Sequence, residues 1–141
     1  PNAREKASFL KENILPIQES GQLKFIDPNV DEVFTSNIKL KLVNGHTDSM
    51  MLPLIHYNNH HILYCADLIP SMAHISLPWV MGYDMRPLST LQEKELLLNE
   101  AVNNNWLLFF EHDRINECCS LQQTDKGIRQ GDVMKMAEIS G

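Results

Sequence analysis

The sequence predicts an α/β (α+β) fold, a mostly antiparallel or mixed sheet with flanking helices, and three observations lead there. With 141 residues and 43% hydrophobic content, residues 1–141 have the size of one domain, able to bury roughly two thirds of its unfolded surface. Apolar residues recur at helical spacing near the N-terminus and again after residue 89, but at a period of two between residues 38 and 66. Turn-forming residues separate these stretches, and no internal repeat or low-complexity segment is visible.

The elements follow in order. Phe9, Leu10, Ile14 and Ile17 line one side of a helix, with Lys6, Lys11 and Glu12 on the other. Pro16 marks a kink or the last turn, and Gly21 after Ser20 stops it. Gln22 to Ile26 reads as a short strand before an Asp27-Pro28-Asn29 turn. Ile38, Leu40 and Leu42 alternate with Lys39 and Lys41, the pattern of a strand with one wet face. Met51 to Tyr57 and His61 to Ala66 form a hairpin around Asn58-Asn59-His60, because Asn tolerates the positive φ of tight turns. Residues 70–88 are irregular, with Pro70, Pro78, Gly82 and Pro87 spaced through them. Ser89 or Thr90 caps a helix running to about Asn103, with Glu93 closing a capping box on Thr90 and Leu91, Leu97, Leu98 and Val102 as its apolar face. Trp106 to Phe110 is a strand buried on both sides, and Asn116 to Val133 a hairpin turning at Thr124-Asp125-Lys126-Gly127.

Composition narrows the function. Twelve Lys and Arg against 18 Asp and Glu give a net charge of −6, without the basic footprint that nucleic acid requires, so no nucleic-acid partner is expected. No apolar run approaches the roughly 20 residues of a membrane span, so no membrane partner is expected either, and the N-terminus has no signal-peptide core. Three cysteines, Cys65, Cys118 and Cys119, are an odd set without zinc-finger spacing. A reducing, cytoplasmic compartment is therefore expected. Cys118 and Cys119 point to opposite faces if they share a strand.

Three strands end in side chains able to bind metal: His46 after Ile38–Val43, Asp67 after His61–Ala66, and His112 after Trp106–Phe110. Were these strands neighbours, two imidazoles and a carboxylate would meet at one sheet edge, a donor set suited to zinc. Spacing alone leaves open the plainer alternative that each is a turn residue.

Three local motifs go further: Asn44-Gly45-His46-Thr47, Tyr64-Cys65-Ala66-Asp67-Leu68-Ile69-Pro70 and Phe109-Phe110-Glu111-His112-Asp113. With Pro78-Trp79-Val80-Met81-Gly82-Tyr83-Asp84 and the helix after Ser89, they resemble the second half of a metallo-β-lactamase-fold hydrolase, half of an αββα sandwich. The resemblance implies that His46 binds a first metal, Asp67 bridges two, and His112 binds the second. It implies zinc, with iron or manganese as alternatives, one or two ions in the intact enzyme. The implied reaction is hydrolysis of an ester, lactone, thioester or amide-like bond in a small-molecule substrate by metal-activated water. Departures bear on the substrate: Asp48-Ser49 follows the His-Thr pair, Ala66 replaces the usual Gly, and Pro70 stands where some lactonases carry Tyr.

The family's first signature, His-x-His-x-Asp-His, is absent from these residues. The chain is therefore expected to be the C-terminal half of a longer enzyme, a fragment inactive alone. Its expected partners are the missing N-terminal half or a second copy in a dimer, since a lone half leaves apolar surface open. The competing function is a non-catalytic α/β binding module that keeps the fold. His74 and Tyr83 are candidate substrate-lining residues, and Trp79 with Tyr83 could wall a pocket. His56 reads as half-buried, Cys65 as a buried inert thiol, and the methionines as core filler. Glu111 and Asp113 either orient the His112 imidazole or are solvated.

Overall fold

The computed structural model describes residues 2–27 and 33–140. They fall into two units, Pro1–Val30 and Asp31–Gly141.

In the first unit a 3-10 turn, Glu5–Ala7, precedes α1 (Lys11–Glu19). Asn2 Oδ1 accepts the Arg4 and Glu5 N–H groups at 2.9 and 3.1 Å, covering donors that the turn leaves open. Phe9 and Leu10 stand before α1 rather than in it, and Pro16 lies within the helix, which continues past it to Glu19. Ser20 Oγ donates to Ile17 O, and Gly21 takes φ +71°, the left-handed exit expected of glycine. The strand expected over Gln22 to Ile26 does not form. Residues 22–27 pair with no other strand among the described residues, and an apolar stretch without a partner ladder has no reason to extend. Pro28 and Asn29 of the expected turn lie outside the described residues.

The second unit is a seven-stranded mixed sheet whose spatial order is its sequence order: β1 (Val33–Thr35), β2 (Ile38–Val43), β3 (Met50–Tyr57), β4 (His60–Tyr64), β5 (Leu107–Phe109), β6 (Cys118–Thr124) and β7 (Gly127–Met134). Every neighbouring pair is antiparallel except β4 and β5, which run parallel. A parallel pair needs a long crossover, and α2 (Pro87–Asn103) supplies it. The β3–β4 hairpin turns on Asn58 and Asn59 at φ 47° and 60°. Both central residues of a two-residue type I′ turn require positive φ, which explains the Asn pair.

Helix α2 starts two residues before Ser89. Its first residue is Pro87, whose missing N–H is harmless at that position, so the expected Ser89 or Thr90 cap falls inside the helix. Thr90, Lys94, Leu97, Leu98 and Ala101 form its buried stripe against the sheet. Leu97, Leu98 and Ala101 join one core cluster with Leu52, Leu54, Leu63, Cys65, Leu108 and Cys119. Full burial of each large aliphatic side chain contributes about 1.5–3 kcal/mol. The opposite sheet face carries a smaller cluster of Ile62, Leu107, Cys118 and Ile139. Cys118 and Cys119 thus face opposite ways, as neighbours on a strand must. No helix among the described residues is long and apolar enough to cross a membrane.

Candidate metal centre

Strand direction brings the three candidate ligands to one edge. β2 and β4 are both antiparallel to β3, and β5 is parallel to β4, so β2, β4 and β5 all point the same way. His46, Asp67 and His112 each lie three residues beyond the last residue of their strand, Val43, Tyr64 and Phe109. The parallel register pairs Tyr64 with Phe109, which sets the Asp67 and His112 loops side by side.

Each loop is held in its own way. The Glu93 carboxylate of α2 accepts the Asn44 and Gly45 N–H groups at 2.7 and 2.8 Å, a role in place of the expected capping box. The Arg86 and Met85 N–H groups donate to Gly45 O and His46 O. Gly45 is buried so close to α2 that a Cβ there would overlap the Thr90 backbone. Before Asp67, Ala66 adopts φ 42°, the left-handed region that glycine enters without cost. The His112 N–H donates to Pro70 O at 3.0 Å. Next to it, Asp113 accepts the N–H groups of Ile115, Asn116 and Met72. Burial alone would raise its pKa, but these bonds and the Asn116 amide outweigh that and push it down to about 2. Asp113 therefore holds the turn rather than the His112 ring.

Asp67 lies between the two imidazoles. His46 Nε2 stands 3.4 Å from Oδ2, and His112 Nε2 stands 3.0 Å from Oδ1. On its far side, His46 Nδ1 lies 2.9 Å from Oδ1 of Asp84, a carboxylate with no exposed side-chain surface. The His112 side chain is 54% exposed and that of His46 only 13%, so the edge opens outward at His112. Among the described residues no three such side chains enclose a metal-sized point, since each nitrogen meets its own carboxylate oxygen. The donor chemistry nevertheless fits a divalent ion. His46 Nδ1 lies against Asp84, so Nε2 is the nitrogen that faces Asp67, and two imidazoles around a carboxylate are a donor set that a divalent ion takes.

His74 lies in the 3-10 turn Met72–Ile75, its Nδ1 2.8 Å from Ser71 Oγ. Burial, then the Lys94 charge, lowers its pKa, with Asp84 opposing, so His74 stands near that buried pair. Tyr83, beside Asp84, is 73% exposed, and Trp79 is 62% exposed. His56 is exposed rather than half-buried and stacks on His61 across the hairpin. The Tyr64 phenol is pushed up to about 12 by burial, a hydrogen bond with Glu111, and the charges of Glu111 and Asp67. Burial likewise raises Cys65, raises Cys118 to about 11 and Cys119 to about 12.

Sequence reading assigned no role to Asp84 beyond its motif and did not single out Lys94. A signal existed for Lys94: it sits three residues from Leu91 and Leu97 and four from Leu98, in the middle of the predicted apolar face. Asp84 carries no such local mark, since its partner is 38 residues away.

The fold is shared with solved structures of metal-dependent hydrolases. No family model and no curated protein sequence matches the chain, but solved structures do. A probable metal-dependent hydrolase from Staphylococcus aureus superimposes with a TM-score of 0.79 at 22% identity, over 95% of this chain and 46% of that one. The dizinc quorum-quenching lactonase AidC, in complex with a product, N-hexanoyl-L-homoserine, matches at TM-score 0.67 and 23% identity, over 96% and 48%. The hydrolase AbOPH of the β-lactamase superfamily matches at TM-score 0.73 and 16% identity, over 89% and 43%. The chain spans about half the length of each.

Proposed function

We propose that the chain is the C-terminal half of a zinc-dependent hydrolase of the metallo-β-lactamase superfamily, with His46, Asp67 and His112 as its metal ligands. The observation that carries this reading is the approach of both imidazole Nε2 atoms to the two oxygens of Asp67, with His46 backed by the buried Asp84. A carboxylate behind a ligating imidazole fixes its tautomer and raises its basicity. A bound divalent ion would supply Lewis acidity and an acidified water at this edge. Around it, Asp84 orients the His46 ring, Glu93 and Arg86 hold the His46 loop, and Asp113 holds the His112 loop. On this reading His74 and Tyr83 would line the substrate, a small molecule with an ester, lactone, thioester or amide-like bond. The coverage of about half of each solved neighbour supports a missing N-terminal half as the partner that completes the cleft.

The test is metal content of the purified chain beside Asp67→Ala. Zinc near one ion per chain in the parent and depleted in the variant is the expected result. Equal content in both, or none in either after reconstitution with the upstream half, would leave the chain a binding module that keeps the fold.

A further inference from the structure

The β3–β4 hairpin sets two histidines side by side at the other end of β4 from the candidate metal centre. His56 of β3 pairs with His61 of β4, and His61 lies near the start of that strand, whereas Asp67 follows its end. The His56 N–H donates to Asn37 O on the β2 side. Toward β4, His56 and His61 are therefore a pair without backbone bonds between them, the kind whose side chains stand closest. Their ring centres are 5.0 Å apart. With metal–nitrogen bonds of about 2.1 Å, two imidazoles on adjacent positions of one ion have ring centres about 4.6–5.3 Å apart. Both residues are exposed, so their rings can turn toward an ion without disturbing the core, while the two-residue turn fixes the backbone beneath them. His60 is paired with Tyr57 and faces the other side of the sheet. Lys39, opposite Leu54 on the same face as His56, is a charge that opposes a cation there.

We propose that His56 and His61 form a second, surface site that chelates a late first-row divalent ion, Cu²⁺ ahead of Ni²⁺ and Zn²⁺. The site stands apart from the candidate centre and does not rest on the hydrolase reading. Imidazole nitrogen suits these ions, and their intrinsic affinities put Cu²⁺ first. The ligating form is the neutral ring. Burial, then the charges of His56 and Lys39, hold the His61 pKa below its ordinary value, so the neutral ring prevails at neutral pH. Because the hairpin already fixes both backbone positions, the second imidazole joins at little further entropic cost. That separates a chelating pair from two single surface histidines. Two protein donors leave the remaining coordination positions to water, so the ion exchanges with the medium and is read by titration rather than by the metal content of the purified chain.

The experiment is a Cu²⁺ titration of the full chain at neutral pH, followed by the broadening of each histidine ring signal in proton NMR, the rings being assigned by substitution. His56→Gln and His61→Gln are compared with the parent, and His60→Gln serves as a control from the same hairpin. In the parent, His56 and His61 are expected to broaden together with one affinity. Broadening also reaches rings that lie near the ion without binding it, so the variants decide. Each of His56→Gln and His61→Gln should weaken binding at the remaining ring at least ~10-fold, the gain that a linked second ligand brings, while His60→Gln leaves both as in the parent. Parental affinity at the remaining ring in either variant would overturn the inference and leave two separate surface imidazoles. Broadening of His46 and His112 reports the candidate centre in the same titration. Ions taken up there, with His56 and His61 unaffected, would overturn this inference alone; the reverse, with the losses in both variants, would support it while telling against the proposed centre.

Discussion

Replacing Asp113 with Ala tests whether a single side chain holds the His112 loop. Asp113 Oδ1 accepts the N–H groups of Ile115 at 3.0 Å and Asn116 at 2.9 Å, and Oδ2 accepts that of Met72 at 3.0 Å. The first two close the turn after His112, and the third ties that turn to the 3-10 turn Met72–Ile75. Burial alone would raise the carboxyl, but these bonds and the Asn116 amide outweigh it and take it from 3.8 to about 2. At 1.36 kcal/mol per unit, the depression stabilises the folded chain by about 2 kcal/mol at neutral pH. The sign follows from the direction. Because the folded value is depressed, the stabilisation is fully present above about pH 4 and is lost as pH falls through about 2. Urea unfolding followed by circular dichroism should show Asp113→Ala less stable by about 2 kcal/mol at pH 7, with the gap closing between pH 4 and pH 2. A variant within about 0.5 kcal/mol of the parent at pH 7, or a gap that does not change on acidification, would refute the reasoning.

Other substitutions probe other joints. Gly45→Ala forces a Cβ into the Thr90 backbone and should cost about 2–3 kcal/mol in urea unfolding, because no flexible side chain can yield. Parental stability would mean that the α2 contact is looser than the geometry has it. Ala66→Gly removes the strain of an L residue at φ 42° and should raise the thermal midpoint, corresponding to about 0.5–1 kcal/mol; an unchanged or lower midpoint counts against a strained position. All three cysteines are free and buried with thiols raised by burial, so Ellman's reagent should label them only after denaturation. Labelling of the native chain within minutes would contradict that packing.

Much of the architecture was legible along the chain because it rests on local period. The alternation of Ile38, Leu40 and Leu42 became β2, the Asn58-Asn59 pair became a two-residue turn with both φ values positive, and Thr124 to Gly127 turned the last hairpin. Errors came where a local pattern met a stronger constraint elsewhere. Gln22 to Ile26 had the composition of a strand but no partner among the described residues. Thr90 and Glu93 matched a capping box, yet Pro87 begins the helix and Glu93 serves the Asn44-Gly45 backbone almost fifty residues away. Strand β1, three exposed residues long, has too short a pattern to announce itself.

Sequence by itself determined most of the sheet's longer elements and the donor residues that follow three of its strands, since periodicity and turn chemistry are properties of neighbouring residues. Only the tertiary structure decided that β2, β4 and β5 point the same way, placing His46 and His112 on either side of Asp67. It also decided that Asp84 backs His46 and that Lys94 spends its charge indoors. Those choices depend on strand direction and on which polar groups share a water-free space, and both are settled by contacts between segments that no local pattern records.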